Sequence, residues 1–600
     1  MISFKVEDKL KQDLASLKDN DSFSNYKILQ GKIYKFINSD CTLNFLRIQG
    51  SADAYPASLI EINIPLSILK INKDFINNKI EQLAFTDFVS RQLSKGIKEK
   101  TKPLKGFGGN GSFQPPQISQ EVLFRNIALI DTKNEYLSLW IMISLPSDKS
   151  KTKINKNKAL DMLTRELSEV IKYLFLKLTI HTEELNKHMN TVETYFEIRK
   201  YLKENNYIAF IGNNSILPRK SSINPLPLDQ KEAIPFKAPS SLTIKIKLKN
   251  GKTIEGLGIP KGVTVITGAA YHGKSTLLNA LIKGIYPHIP GDGRENVVTL
   301  EDAVKLKAED GRSVRNIDLS FFIKELPIKK DIKSFSTNMA SGSTSQAASM
   351  IEFLSYSIST YLIDEDDSAT NFLMTDKIMK EVISNTTLLT LSERISLLKK
   401  NYNFIIISGA NSNFLSIADT IIEMKDYQPI DIKNKVKEIL KNNKYIYSTD
   451  LNINNNASTT FTDNRILTED NFNAEYRSER HNYSTPVRIK LNATPSYNEN
   501  IINFGNESVN LKSIETLAEK EQLLSIGWLV LYAKQKFLNK SLKVSTFLKK
   551  TFALLNDPYI LRYIIEKNSK VYYYLSLPRK EEIIAFINRI SQLNTKKPTH

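Results

Sequence analysis

Gly268-Ala269-Ala270-Tyr271-His272-Gly273-Lys274-Ser275-Thr276 spaces its glycines and Lys-Ser pair as G-x-x-x-x-G-K-[ST]. Glycines so placed let successive backbone amides turn inward around the β- and γ-phosphates of a nucleotide. Lys274 brings a point charge to those phosphates, and the Ser275 hydroxyl can fill one coordination position of Mg²⁺. Downstream, Tyr361-Leu362-Ile363-Asp364-Glu365-Asp366 reads as a buried strand that ends in acids. There Asp364 is expected to hold the metal shell and Glu365 to orient or deprotonate an attacking water. Between the two lies Ala340-Ser341-Gly342-Ser343-Thr344-Ser345-Gln346, followed by the apolar run Ala347–Leu354. A Ser-Gly-Ser turn opening a helix offers amides and hydroxyls to an anion, or simply caps its own helix.

A strand–loop–helix unit has to hold the first motif. Val263–Thr267 supplies an apolar strand before it, and Leu277-Leu278-Asn279-Ala280-Leu281-Ile282 supplies a helical pattern after it. Another strand, Phe404–Ile407, ends in Ser408-Gly409. Around this region, 236–430, the pattern divides the chain further. Residues 1–158 read as a mixed α+β domain, with strand-like Leu59–Ile64 and Leu137–Ile143. Ala159–Leu178 and Glu183–Glu204 have helical spacing, and Pro218, Pro225, Pro227, Pro235 and Pro239 mark a connector, giving a segment 159–235. Residues 431–490 read as a polar linker or insertion, richest in Asn, Thr and Ser over Ser448–Pro486. The final segment, 491–600, is read as mainly helical, with Glu515–Phe537 and Arg579–Leu593 the clearest helices.

The order of P-loop, Ser-Gly turn and Asp-Glu strand resembles the ATP-binding-cassette class, and more closely the soluble family of predicted ATPases of the ABC class. The matching stretches include Gly258–Thr264, the P-loop with its Tyr271-His272, Ile289–Glu295, Ala308–Val314, Phe335-Ser336-Thr337, Ala340–Ala347 and Leu362–Asn371. Arg47–Gly50, Gln120–Leu123 and Leu577-Pro578-Arg579 resemble the family outside that core. The resemblance implies an α/β P-loop NTPase core of ABC type with an α+β domain before it and a mainly α domain after it. It also implies a composite site in a homodimer: two cores face head to tail, and Ser341, Gly342 and Ser343 of one cap the γ-phosphate of ATP, with its Mg²⁺, on the P-loop of the other. This sequence departs from transporter cassettes at two points. No Gln occurs from Ser275 to Ser345, where Glu309, Asp310 or Arg312 are candidates for its place, and Ser408-Gly409 stand where a histidine is usual. The resulting expectation is a soluble ATPase, with a nucleotide-gated scaffold of little turnover as the alternative and a small-molecule kinase as a remote one.

Composition adds a partner class. The chain of 600 residues carries a net charge of +19, of which +8 falls in 1–235, +2 in 236–430 and +9 in 431–600. A near-neutral core between basic flanks suggests a polyanion held outside the nucleotide site. Taken with the family resemblance of the N-terminal domain, the expected partner is nucleic acid, RNA over DNA. The densest run is Arg91, Lys95, Lys98, Lys100, Lys102 and Lys105, followed by Gly106–Phe113, where Phe107 and Phe113 are candidates to stack on bases. Lys149, Lys151, Lys153, Lys156 and Lys158 form a second run. The single Cys41, expected to be a buried apolar side chain, excludes intramolecular disulfides and a Cys-based metal site. His272 has no second histidine nearby and is read as a packing or phosphate-proximal residue. No apolar run is long enough to span a membrane, and Met1–Asp8 is not read as a secretory leader, so an intracellular, by default cytoplasmic, location is expected.

Overall fold

The computed structural model describes residues 4–442, 459–468 and 500–593, apart from 19–20, 38, 53–56, 72–74, 103–109, 222, 327–330, 376, 384–386, 505–506, 569–573 and 592. Most of the polar stretch 448–486, and Lys105 to Gly109 of the first basic run, lie outside the described residues. The chain forms two compact units, one of residues 1–193 and 557–577, the other of 194–556 and 578–600.

In the second unit, apolar runs without polar alternation become a six-stranded sheet. Its strands are β1 (Val263–Thr267), β2 (Ala303–Leu306), β3 (Thr360–Asp364), β4 (Asn403–Ile407), β5 (Thr420–Lys425) and β6 (Gln428–Asp431), in the order β2-β3-β4-β1-β5-β6. All neighbours are parallel except the β5–β6 hairpin. Strands of a parallel sheet are covered on both faces, which is why Val265, Ile266, Leu362, Ile363 and Phe404–Ile407 are all buried. Each such side chain contributes about 1.5–3 kcal/mol on burial. Strand β1 lies between β4 and β5, both later in sequence, so the crevice beyond its carboxyl end is where an open sheet of this kind takes ligands. Helix α1 (Lys274–Lys283) follows β1 and packs on β2, β3 and β4, and α2 (Gly342–Leu354) packs on β2. A second, antiparallel sheet joins Val297–Thr299, Tyr207–Gly212, Thr253–Pro260 and Thr243–Lys247, and Arg312–Ile317 pairs with Phe335–Ala340 in a two-stranded ribbon.

The C-terminal segment of this unit is mainly helical. Its helix α3 (Lys580–Ile587) is tied to the core by charges. Arg579 donates to Glu301 O and Ala303 O at 2.7 and 3.1 Å. Arg589 pairs with Glu309, and Arg312, buried, reaches Glu352 Oε2 and Ser349 Oγ on α2 at 2.5 Å each. Glu581 is the ill-matched member: among the described residues one carboxylate oxygen lacks a hydrogen-bond partner, and burial pushes its carboxyl from 4.5 up to about 7. A raised folded-state value means that the folded state favours protonated Glu581, so this contribution is full below the ordinary value and lost as pH rises through about 7. Glu581→Gln is therefore expected to remove a loss of stability between pH 4.5 and about 7, read from urea midpoints at each pH.

The first unit is built on an antiparallel sheet of Ile33–Lys35, Thr42–Arg47, Ser58–Pro65, Tyr136–Ser144 and Ser112–Gln114, with Ala128–Asp131 also paired to Tyr136–Ser144. The helical run expected at 159–178 is Lys156–Asp161, a π-helical turn Met162–Glu166 and Leu167–Thr179. A 22-residue helix, Lys79–Lys100, was not evident in the sequence pattern, and it carries the first part of the basic run. Arg91 faces inward from it, bonded to Asp87 at 2.7 Å and to Ser119 O and Glu121 O at 2.6 and 2.8 Å. Phe113 is buried on the sheet opposite Ile143 and cannot stack on a base, which corrects that expectation. Lys102 pairs with Asp161 and Glu166, while Lys156 and Lys158 donate to Leu17 O and Asn110 O. Lys95, Lys98 and Lys100 remain on the exposed side of the helix. Among the described residues no helix is long and apolar enough to cross a membrane.

Candidate nucleotide site

Parallel register brings the chemistry to one edge of the sheet. The ends of β1, β3 and β4 stand side by side, with Ile266 opposite Ile407 and Asp364 opposite Ile407. The P-loop leaves β1, Glu365 follows β3, Ser408-Gly409-Ala410 follow β4, and the Asp426-Tyr427 turn follows β5.

The loop after β1 has the backbone its glycines require. Gly268 and Gly273 sit at φ +136° and +94°, and a Cβ on Gly268 would stand 2.3 Å from Met424 O. Helix α1 starts at Gly273 with no side-chain cap, so its first amides remain available to an anion. Lys274 Nζ donates back to Gly268 O at 2.7 Å and Ala269 O at 2.8 Å, holding its charge over the loop. His272 is taken up locally: its Nδ1 accepts from the Asp426 amide at 2.8 Å, which fastens the P-loop to the β5–β6 turn. Ser275 is exposed on the first turn of α1, and Thr276 is half-buried behind it.

Across the edge, Asp364 is only 6% exposed and, among the described residues, its carboxylate accepts a single long bond, from the Asp366 amide at 3.3 Å. Burial pushes its carboxyl above the ordinary range. A buried, under-bonded carboxylate at the same sheet edge as a hydroxyl-bearing phosphate loop is a donor set that fits Mg²⁺. Glu365 is held differently. Its Oε2 accepts from Gly409 N at 2.8 Å and Ala410 N at 3.3 Å. The Ser408 hydroxyl stands 3.1 Å from the same oxygen and 2.8 Å from Asn411 O, and its one proton serves either. The same loop abuts Lys274, since a Cβ on Gly409 would lie 3.7 Å from its Cε. Ser408 to Ala410, noted in the sequence only as the place of a missing histidine, thus fix one oxygen of Glu365 and leave Oε1 without a donor among the described residues.

Ser341 caps α2 by accepting from the Thr344 amide at 3.4 Å, and its hydroxyl also meets Thr344 Oγ1 at 3.0 Å. Gly342 and Ser343 are half-buried in that first turn. Among the described residues no hydrogen bond joins Ser341, Gly342 or Ser343 to the P-loop of the same chain. Instead α2 is tied to the acidic turn: Gln346 donates to Ser368 Oγ and accepts from Ala369 N, both at 2.9 Å, and Ser368 donates to Asp364 O at 2.7 Å. Asp367 shares Lys305 and Lys307 with Glu515 at 2.5–3.2 Å. Of the three candidates for the missing glutamine's place, Glu309 and Arg312 are spent on Arg589 and Glu352, and Asp310 stays exposed beside Gly342.

Comparison with known proteins bears on the same residues. A family model described as the P-loop domain of ABC ATPases matches residues 181–459, one described as the N-terminal part of ATPases of the ABC class matches 7–177, and one described as the MRB1590 C-terminal domain matches 496–596. The chain is 30% identical over 285 residues to an uncharacterised protein of Methanocaldococcus jannaschii, covering 45% of this chain and 60% of that one. It thus spans about 60% of the length of the curated relative it matches. Among solved structures, an ATP-binding cassette of an ABC transporter in its ADP conformation aligns at 14% identity and TM-score 0.24, over 40% of this chain and 96% of its own. The cbiO1 protein of Clostridium perfringens, part of the transporter complex cbiONQ, aligns at 15% and 0.24, over 40% and 95%. Those scores are too low to carry weight beside the family models.

Proposed function

The chain belongs to the ATPases of the ABC class, whose P-loop and N-terminal models it matches, and from that premise we propose that it binds and hydrolyses ATP at composite sites between two copies of itself. The observation that carries the proposal is Glu365, held at Oε2 by the loop after β4 and turned toward the edge where Lys274 lies. A carboxylate fixed by one oxygen keeps the other for the proton of an attacking water. Gly268 to Thr276 bind the phosphates through amides and the Lys274 charge. Ser275 and Asp364 would hold Mg²⁺, which supplies neutralisation of phosphate charge when bound. Ser341, Gly342 and Ser343, unbonded to their own P-loop, cap the γ-phosphate held by the other copy. This favours turnover over the nucleotide-gated scaffold, because the place of the missing histidine is filled by a loop that orients the base. A kinase reading leaves the Ser341–Gln346 turn without a task.

The test is phosphate release by the full chain with ATP, with and without EDTA, beside light scattering for mass. Mg²⁺-dependent release and an ATP-dependent doubling of mass support the reading. ATP binding without release leaves the scaffold.

For a nucleic-acid partner, RNA over DNA, the support is narrower than the charge count: Lys95, Lys98 and Lys100 on the outer side of Lys79–Lys100. Replacing all three by Ala is expected to make the slope of log affinity for single-stranded RNA against log salt shallower by about 2. An unchanged slope in filter binding removes this helix from the interface.

A further inference from the structure

Tyr271 is the most exposed large apolar side chain among the described residues, at 94%. It stands in the P-loop at φ +65°, a left-handed conformation that strains a bulky residue. Gly268 and Gly273 of the same loop meet their positive φ with glycine, which costs nothing sterically, so the turn itself does not call for an aromatic ring. The ring makes no hydrogen bond or ring contact among the described residues that would offset the strain. Met339, two residues before Ser341, is 79% exposed on the strand Phe335–Ala340, whose ends Phe335 and Ala340 are buried. Its backbone is fixed, with its amide donating to Thr337 Oγ1 at 3.2 Å. Each half of the proposed composite site therefore shows solvent one large apolar side chain on fixed backbone, where a monomer would be expected to carry polar groups.

We infer that Tyr271 of one protomer seats against Met339 of a second copy, forming an apolar contact beside each nucleotide. The inference rests on the head-to-tail reading above and adds the contact that reading lacks. In that arrangement the P-loop of one copy faces the Ser341 turn of the other, so the two exposed side chains meet, and two-fold symmetry makes the contact twice. A thioether against the face or edge of a phenol ring is a favourable pair, and the unbranched Met side chain adapts to a ring on a rigid loop. The occupant is a second copy because the same chain supplies both members: a small ligand at Tyr271 alone would leave the exposed Met339 unexplained.

The test uses the full chain carrying Glu365→Gln, so that ATP persists. Cys41, the single cysteine, is buried, and new thiols can be read against it. Tyr271→Cys and Met339→Cys are made in separate chains, mixed, and treated with a short bismaleimide. The expected result is a covalent dimer formed with ATP and Mg²⁺, about tenfold above either variant alone, and absent with ADP. Should the mixture cross-link no better than its components while light scattering shows an ATP-dependent dimer, the contact is wrong and the composite site stands. Should no ATP-dependent dimer form at all, the composite site falls and the contact with it. Met339→Asp guards against loss of ATP at a substituted P-loop. It is expected to keep nucleotide binding by the monomer and raise the dimer Kd about tenfold or more, and an unchanged Kd overturns the inference.

Discussion

Glu365→Gln will lower ATP turnover by about 10²- to 10⁴-fold, the usual range for removing a general base, and will leave the chain folded and able to bind ATP. The geometry explains both halves. Oε2 of Glu365 accepts from the amides of Gly409 and Ala410, with the Ser408 hydroxyl, whose proton it shares with Asn411 O, 3.1 Å away. A Gln can turn its carbonyl oxygen to those donors, keeping the loop after β4 in place. Its NH₂ then points where Oε1 stood, and an amide nitrogen cannot take the water's proton. Binding therefore survives while the chemical step fails, and ATP accumulates on the protein. The check is single-turnover phosphate release beside nucleotide retention. If Glu365→Gln releases phosphate at the wild-type rate, the water is activated elsewhere.

Lys274→Ala has the second large effect, and on the opposite quantity. Among the described residues Lys274 Nζ is bonded only to two loop carbonyls, Gly268 O and Ala269 O. Those acceptors are part-buried or exposed, so losing the side chain leaves few unmet groups and little damage to the fold. What is lost is a cation for the phosphates: a hydrogen bond to a charged group is worth about 1.5–3 kcal/mol, or roughly 10- to 150-fold in the dissociation constant for ATP. Calorimetric titration of ATP reads it directly. A near-native affinity with intact thermal unfolding would show that Lys274 does not touch the nucleotide. The two variants thus separate: Glu365→Gln keeps its affinity for ATP and loses turnover, and Lys274→Ala loses affinity.

How far the sequence carried depended on whether a feature was contiguous. Val263–Thr267, the P-loop and Lys274–Lys283 are one local strand–loop–helix unit, and the helix start, the glycine conformations and the lysine all lie where spacing puts them. The acidic strand end and the helix after Ser341 were legible for the same reason. Contacts between distant segments were not. The cradle of Glu365 comes from residues 43 to 45 positions later, brought there by the β3–β4 register. Gln346 stood in plain view after the Ser-Gly turn, but its partners Ser368 and Ala369 are set by how α2 lies against the turn after β3. Nor does charge reveal its direction: Arg91 reads as part of a basic run and is in fact held inside by Asp87 and two carbonyls. Phe113 reads as a loop aromatic, and the strand pairing with Tyr136–Ser144 buries it. Local chemistry is written in local residues, and what orients it is written in pairing that no spacing rule exposes.

The head-to-tail site is tested most directly by complementation between two inactive chains. Lys274→Ala removes the P-loop cation, so that at ATP near the wild-type Kd the loop stays largely empty, and keeps the Ser341 turn; Ser343→Arg puts a bulky cation on that turn and keeps the P-loop. Each alone should release almost no phosphate. Mixed, they form a heterodimer in which the intact P-loop of one chain meets the intact turn of the other, giving one working site in two. The expected result is recovered Mg²⁺-dependent ATP turnover in the mixture, approaching about one quarter of wild type if subunits exchange freely and sites act independently. A mixture no more active than its components, with heterodimers shown to form, would contradict the account.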